Sequence, residues 1–123
     1  GREIKTNPLK TGCQIFIMKV NPQDALDKLA EIKSPFLTVF EHGTLALEVY
    51  KPEKVDFQKP HSRDEVYVVI SGSGTFFNNG ERTTFSVGDF LFVKAGLEHR
   101  FEDFTDDFST WVIFYGPEGG EKE

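Results

Sequence analysis

From residue 36 to residue 115 the chain is a succession of short apolar runs. Each is cut off by Gly, Asn, Asp or Pro before it could build the turns of a stable helix. The runs fall at 36–40, 45–50, 65–71, 74–77, 83–87, 90–93, 99–101 and 110–115, and residues 13–20 read as a further strand, giving about nine or ten. Runs 36–40 and 45–50 form a hairpin around Glu41, His42, Gly43 and Thr44. Asn78-Asn79-Gly80 is a turn, because positive φ is easiest for Asn and Gly. Thirteen of the 123 residues are Phe, and aromatic side chains favour pleated, half-buried surfaces. The expected class is all-β, a sandwich or barrel.

One helix interrupts this pattern early. Asn21 caps it, Pro22 suits its first turn, and Ala25, Leu26, Leu29 and Ile32 form one apolar stripe. It should end near Lys33, before Pro35, and cover one edge or end of the barrel. Runs such as 90–93 and 111–115 are apolar on both sides. A one-layer barrel alternates, so their outer faces must meet a second sheet, the helix or another subunit; a homodimer is expected.

The length suits a single domain, 1–123, with a core over about 36–115, an N-terminal strand and helix over 13–33, and a flexible tail over 116–123. Lys and Arg number 14 against 20 Asp and Glu, a net charge of −6. An acidic chain without basic runs is a poor partner for a polyphosphate backbone, so no nucleic acid is expected. No apolar stretch approaches the ~20 residues of a membrane helix, and no leader pattern opens the chain. Cys13 is the lone cysteine and cannot form an internal disulfide, which fits a cytoplasmic location.

Histidines occur at 42, 61 and 99 only. His42 sits in a turn and reads as a solvated loop residue. His61 precedes Glu65 in Lys59-Pro60-His61-Ser62-Arg63-Asp64-Glu65. In one continuous strand the two would lie ~13 Å apart, too far to share a metal bound at ~2 Å. If Ser62-Arg63-Asp64 form a loop instead, they become cross-strand neighbours with Cβ atoms ~5 Å apart. His99 begins a strand after the turn Lys94-Ala95-Gly96 and can point inward beside them. No nucleophile–base pair and no phosphate-binding loop is present.

These two stretches resemble the paired motifs of the cupin superfamily. In the pattern G-x5-H-x-H-x3,4-E-x6-G, His61, Glu65 and Gly72 match the second histidine, the glutamate and the final glycine. In G-x5-P-x-G-x2-H-x3-N, Gly88, Gly96 and His99 match. The 15 residues between Gly72 and Gly88 resemble the short inter-motif spacing of small microbial cupins. Glu53, Lys94 and Asp103 stand where the family has Gly, Pro and Asn, and Lys59 takes the first histidine's slot. Residues 64–69, 99–104 and 114–120 are similar to a group of single-domain bacterial cupins.

The resemblance implies a cupin-type double-stranded β-helix, a jelly-roll barrel of two antiparallel sheets with one short N-terminal helix. It also implies one divalent transition metal (Fe, Mn, Ni, Co or Zn) on His61, Glu65 and His99. A protonated Lys59 cannot ligate a cation, and strand parity would turn it inward with His61. Three arrangements follow: the triad alone with open positions, Gln58 joining as an oxygen ligand while Lys59 turns outward, or a metal-free site with Lys59 paired to Glu65. Parity places Tyr67 beside Glu65 and Phe101 beside His99, and these two with Trp111 are candidate pocket residues. The function implied is metal-dependent chemistry on a small organic molecule in the barrel mouth, of dioxygenase or isomerase type; the alternative is a non-catalytic module that binds a small ligand or a metal.

Overall fold

The computed structural model describes residues 18–123. The strand expected at 13–20 lies mostly outside the described residues, and 18–20 have no regular structure. Helix α1 spans Pro22–Ile32. Asn21 is extended at φ −101° and its side chain accepts hydrogen bonds from the backbone N–H of Gln23 and Asp24, at 2.8 and 3.2 Å. Two of the helix's otherwise orphan donors are thereby satisfied. Lys33 closes the helix in the left-handed conformation, its N–H bonded to the Leu29 carbonyl.

Eight strands follow among the described residues: β1 Phe36–His42, β2 Leu45–Tyr50, β3 Asp64–Ser71, β4 Gly74–Asn78, β5 Glu81–Phe85, β6 Phe90–Val93, β7 His99–Glu102 and β8 Ser109–Tyr115. They form two antiparallel sheets, one ordered β1-β2-β8-β3-β6 and the other β5-β4-β7. The β4–β5 hairpin turns on Asn79 and Gly80, with φ of 51° and 91°, the two-residue turn whose twist matches that of its strands.

The larger sheet buries apolar residues on both faces. Its inner face, with the smaller sheet, encloses Tyr67, Val69, Phe76, Phe85, Val93, Phe101, Phe108 and Val112. Phe101 is the hub of this packing, with ring centroids 4.6–5.3 Å from Phe108, Tyr67, Phe76 and Phe85. On the outer face Ala25 and Leu29 of α1 pack with Val39 and Val49. The helix therefore covers the outer face of β1 and β2, at one edge of the larger sheet, and Ile32, at the end of its stripe, stays exposed. At the sheet's other end Phe90 and Phe92 of β6 are exposed, and the side-chain amide of Asn78 donates to the Phe92 carbonyl at 3.1 Å. On the smaller sheet Phe77 is flanked by the guanidinium groups of Arg82 and Arg100, each also bonded to Glu102.

Among the described residues no helix is long and apolar enough to cross a membrane. The C-terminal tail is not free. Gly119 N–H bonds to the Ser62 carbonyl at 2.6 Å, and Glu121 N–H to the Asp64 carboxylate at 2.8 Å.

Gly72 shows how closely the chain leaving β3 approaches the segment entering β8. Its φ is 83°, and a β-carbon there would lie 2.6 Å from the backbone of Phe108. Gly80 has a similar φ of 91° but open space around it. Chemical denaturation should show Gly80→Ala losing about 1–2 kcal/mol for backbone strain. Gly72→Ala should lose a further ~1–3 kcal/mol, because the Phe108 backbone cannot give way as a flexible side chain would.

Candidate metal centre

The inner face of the larger sheet carries Glu65 into the barrel. Its register partners are Val93 on β6 and Phe114 on β8, and its side chain is fully buried. His99 opens β7 opposite Asn78, and it too is buried. His61 lies on the irregular segment between β2 and β3, and the chain bends at Ser62 and Arg63. The bend removes the ~13 Å separation that a continuous strand would impose. The result is a loop folding back onto β3 rather than a paired hairpin.

The three side chains converge. One ligand atom from each of His61, Glu65 and His99 lies within 4.8 Å of the others. His99 Nε2 is 3.1 Å from Glu65 Oε1, and His61 Nε2 is 3.9 Å from Glu65 Oε2. The His61 ring meets Phe114 edge-on, with centroids 5.0 Å apart. His99 Nδ1 sits 2.9 Å from the Leu97 carbonyl. A carbonyl only accepts, so Nδ1 carries the proton and Nε2 is the nitrogen available for ligation.

Both carboxylate oxygens of Glu65 and Nε2 of His99 are buried, and what faces them is the triad itself: Nε2 of His99 on Oε1 and Nε2 of His61 on Oε2. Burial pushes the His99 pKa down, but the Glu65 carboxylate and the Leu97 carbonyl outweigh it, and the net direction is upward.

Two aspartates hold the centre in place. Asp56 is buried between the loop and both sheets. It accepts from the Tyr50 hydroxyl at 2.6 Å, from Gln58 N–H and side-chain amide at 3.0 and 2.8 Å, and from Phe101 N–H at 2.8 Å. Burial, then Asp56, raises the Tyr50 pKa, so its hydroxyl stays a donor. With its amide nitrogen given to Asp56, Gln58 directs Oε1 to the Tyr67 hydroxyl at 2.8 Å and to His61 Nε2 at 3.5 Å. Asp64 accepts from Ala95 N–H at 2.9 Å and Glu121 N–H at 2.8 Å, while the His61 carbonyl accepts from Gly96 N–H at 2.7 Å. The two bonds from Glu121 and Ala95 lower the Asp64 pKa, so the clamp persists as pH falls until that depressed value is passed.

Several expectations need correction. Lys59 is exposed, and no ion pair joins it to Glu65; without a strand around Pro60, strand parity does not apply to it. Phe101 belongs to the packed core. Trp111 faces outward with the cluster under α1, because it pairs with Val49 on the outer face. Tyr67 is fully buried and touches the centre through Gln58. His42 is the exposed last residue of β1.

The centre opens on a cleft of about 1210 Å3 whose walls include Phe114, Val112, Glu48 and Tyr50. None of these four was expected from the sequence. The signal for Glu48 was present, a carboxylate alternating with Leu47 and Val49, but such a pattern ordinarily points the charge to solvent.

A model of the cupin domain matches residues 46–114. The chain belongs to the cupin family. A Streptomyces coelicolor protein described as uncharacterized, SCO3923, is 40% identical over 63 residues, which are 51% of this chain and 60% of that relative's length. Among solved structures, this cupin is similar to a cupin-2 domain protein from Shewanella frigidimarina, with a TM-score of 0.60 at 18% identity over 79% of this chain and 94% of the other. It is similar to a predicted oxalate decarboxylase from Thermotoga maritima, with a TM-score of 0.53 at 20% identity over 65% and 77%. KdgF from Halomonas sp. gives a TM-score of 0.58 at 19% identity over 68% and 80%. At these identities the structures speak for the fold.

The clamp on segment 61–64 has a testable consequence. Asp64→Ala should free both the Ala95 turn and the tail, and weaken transition-metal binding about 10–100-fold, as loss of outer-shell partners does elsewhere. Competition against a chromophoric chelator reads this directly, and an unchanged affinity would remove Asp64 from the centre.

Proposed function

We propose that this cupin is a metal-dependent enzyme acting on a small organic molecule in the cleft. His61, Glu65 and His99 would hold one divalent transition metal. The observation that carries the reading is the convergence of His61, Glu65 and His99 on one small volume, their ligand atoms within 4.8 Å of one another and Glu65 and His99 buried. Leaving a buried carboxylate unanswered costs several kcal/mol, and an ion ligated by the same atoms removes that cost. Two imidazoles and one carboxylate suit Fe, Mn, Ni, Co or Zn, which a three-ligand set leaves with open positions. Such an ion supplies Lewis-acid or oxygen-activating chemistry.

The chain's own groups provide the rest. The Leu97 carbonyl fixes the His99 tautomer, Asp56 and Tyr67 fix the Gln58 amide, and Phe114 packs on His61. Gln58 Oε1 can add a neutral oxygen donor beside His61. The exposed Lys59 leaves Glu65 without the ion pair that a degenerate, closed site would need. The open cleft favours an enzyme over a purely sequestering module, because a substrate can approach the centre. The decarboxylase description of one neighbour, like the dioxygenase and isomerase chemistries, falls within this class.

Elemental analysis after loading with Fe(II), Mn(II), Ni(II), Co(II) and Zn(II) tests the reading. The parent should hold about one ion per chain. His99→Ala and the nearly isosteric Glu65→Gln should each lose it while keeping the parent's circular dichroism. No ion in the loaded parent would sink the proposal.

A further inference from the structure

The cleft holds a second unanswered carboxylate, away from the proposed centre. Along the inner face of the larger sheet, Glu48 on β2 is paired with Val112 on β8, which is paired with Tyr67 on β3. Glu65 is one pleat along and two strands across, roughly 10–12 Å from Glu48 at the backbone. Glu48 is half-buried and lines the same cleft as Glu65. Among the described residues its one hydrogen bond comes from the Thr38 hydroxyl at 3.4 Å, a long contact. Among the described residues no Lys, Arg or His pairs with it. Lys51, also on the cleft, donates its ammonium to the Asp106 carbonyl instead.

The charge balance leans negative. Asp27, Glu48, Glu53, Glu65 and Asp107 border the cleft against Lys33 and Lys51, and Lys51 is engaged by the Asp106 carbonyl. Burial, opposed in part by Thr38 and reinforced by Glu65 and Glu41, raises the Glu48 pKa. Between the two carboxylates the walls are apolar, with Val112 and Phe114 on β8 and Phe57 on the loop. With no metal bound, such a space attracts a cation, repels an anion and takes an apolar body between the two carboxylates.

We propose that the cleft selects a small protonated amine with an apolar body, and that Glu48 receives its ammonium group. This rests on the cleft being the ligand site, and it deepens that reading by naming the charge class of the ligand. The site for the ammonium is Glu48, not the metal centre. Binding at Glu48 therefore does not require His61 or His99.

Three probes of matched shape test it: benzylamine, benzyl alcohol and benzoate. Their affinities are read by NMR shift perturbation on the parent, on Glu48→Gln and on His99→Ala, each with and without Zn(II). The amine should bind the metal-free parent at least about tenfold more tightly than benzoate, the effect of one charge-assisted hydrogen bond. Metal-free Glu48→Gln should lose that preference, and metal-free His99→Ala should keep it. Equal binding of amine and benzoate by the metal-free parent, or an undiminished preference in Glu48→Gln, overturns the proposal. The metal reading fails separately, through absence of Zn(II) from the parent, and the metal-free titrations still report on Glu48. Glu48→Gln should melt at or above the parent's temperature at neutral pH, since burial already disfavours the carboxylate it removes.

Discussion

A carboxylate withdrawn from water has to be answered, and Glu65 is withdrawn completely. In an interior of low dielectric an isolated negative charge is unfavourable by far more than one hydrogen bond repays. Much of the surrounding chain meets that demand. The bend before β3 brings His61 back over the carboxylate, β7 opens with His99 opposite it, and both imidazoles aim nitrogen at the same small volume. Backbone N–H groups would satisfy such a carboxylate just as well, and among the described residues the fold offers Glu65 none.

The supports of this centre come from distant parts of the sequence. Asp56 links β2, the loop and β7 through one carboxylate, and Asp64 links β3, the Ala95 turn and the C-terminal tail through another. Every oxygen of these two aspartates accepts a hydrogen bond from the scaffold, whereas those of Glu65 face the two imidazoles. The aspartates serve the scaffold, and Glu65 and Glu48 face the cleft.

The sequence was legible where the physics is local. Asn21 and Pro22 marked the start of the helix, and Asn79-Gly80 marked a hairpin, because capping and positive φ depend on neighbouring residues. The cupin resemblance singled out His61, Glu65 and His99, which the fold brings together. Orientation across the sheets was harder to read. In Leu45–Tyr50 the more apolar side faces α1, while Ala46, Glu48 and Tyr50 face the barrel. Period-two alternation separates these sets without saying which is inside. Trp111 went astray for the same reason, since its strand is apolar on both sides. The tail's Gly-rich composition suggested freedom, but composition could not show that Asp64 and the Ser62 carbonyl would hold it.

Among the described residues the larger sheet stops at β6, and the side of a terminal strand turned from its neighbour offers unpaired backbone groups to any extended peptide that drifts near. Here that strand also carries Phe90 and Phe92 outward, a combination that invites adhesion between molecules. The Asn78 amide spans from the other sheet to occupy the Phe92 carbonyl. One side chain at the end of a hairpin thus acts as a guard on the edge, taking a hydrogen-bonding position that a stray strand would otherwise use.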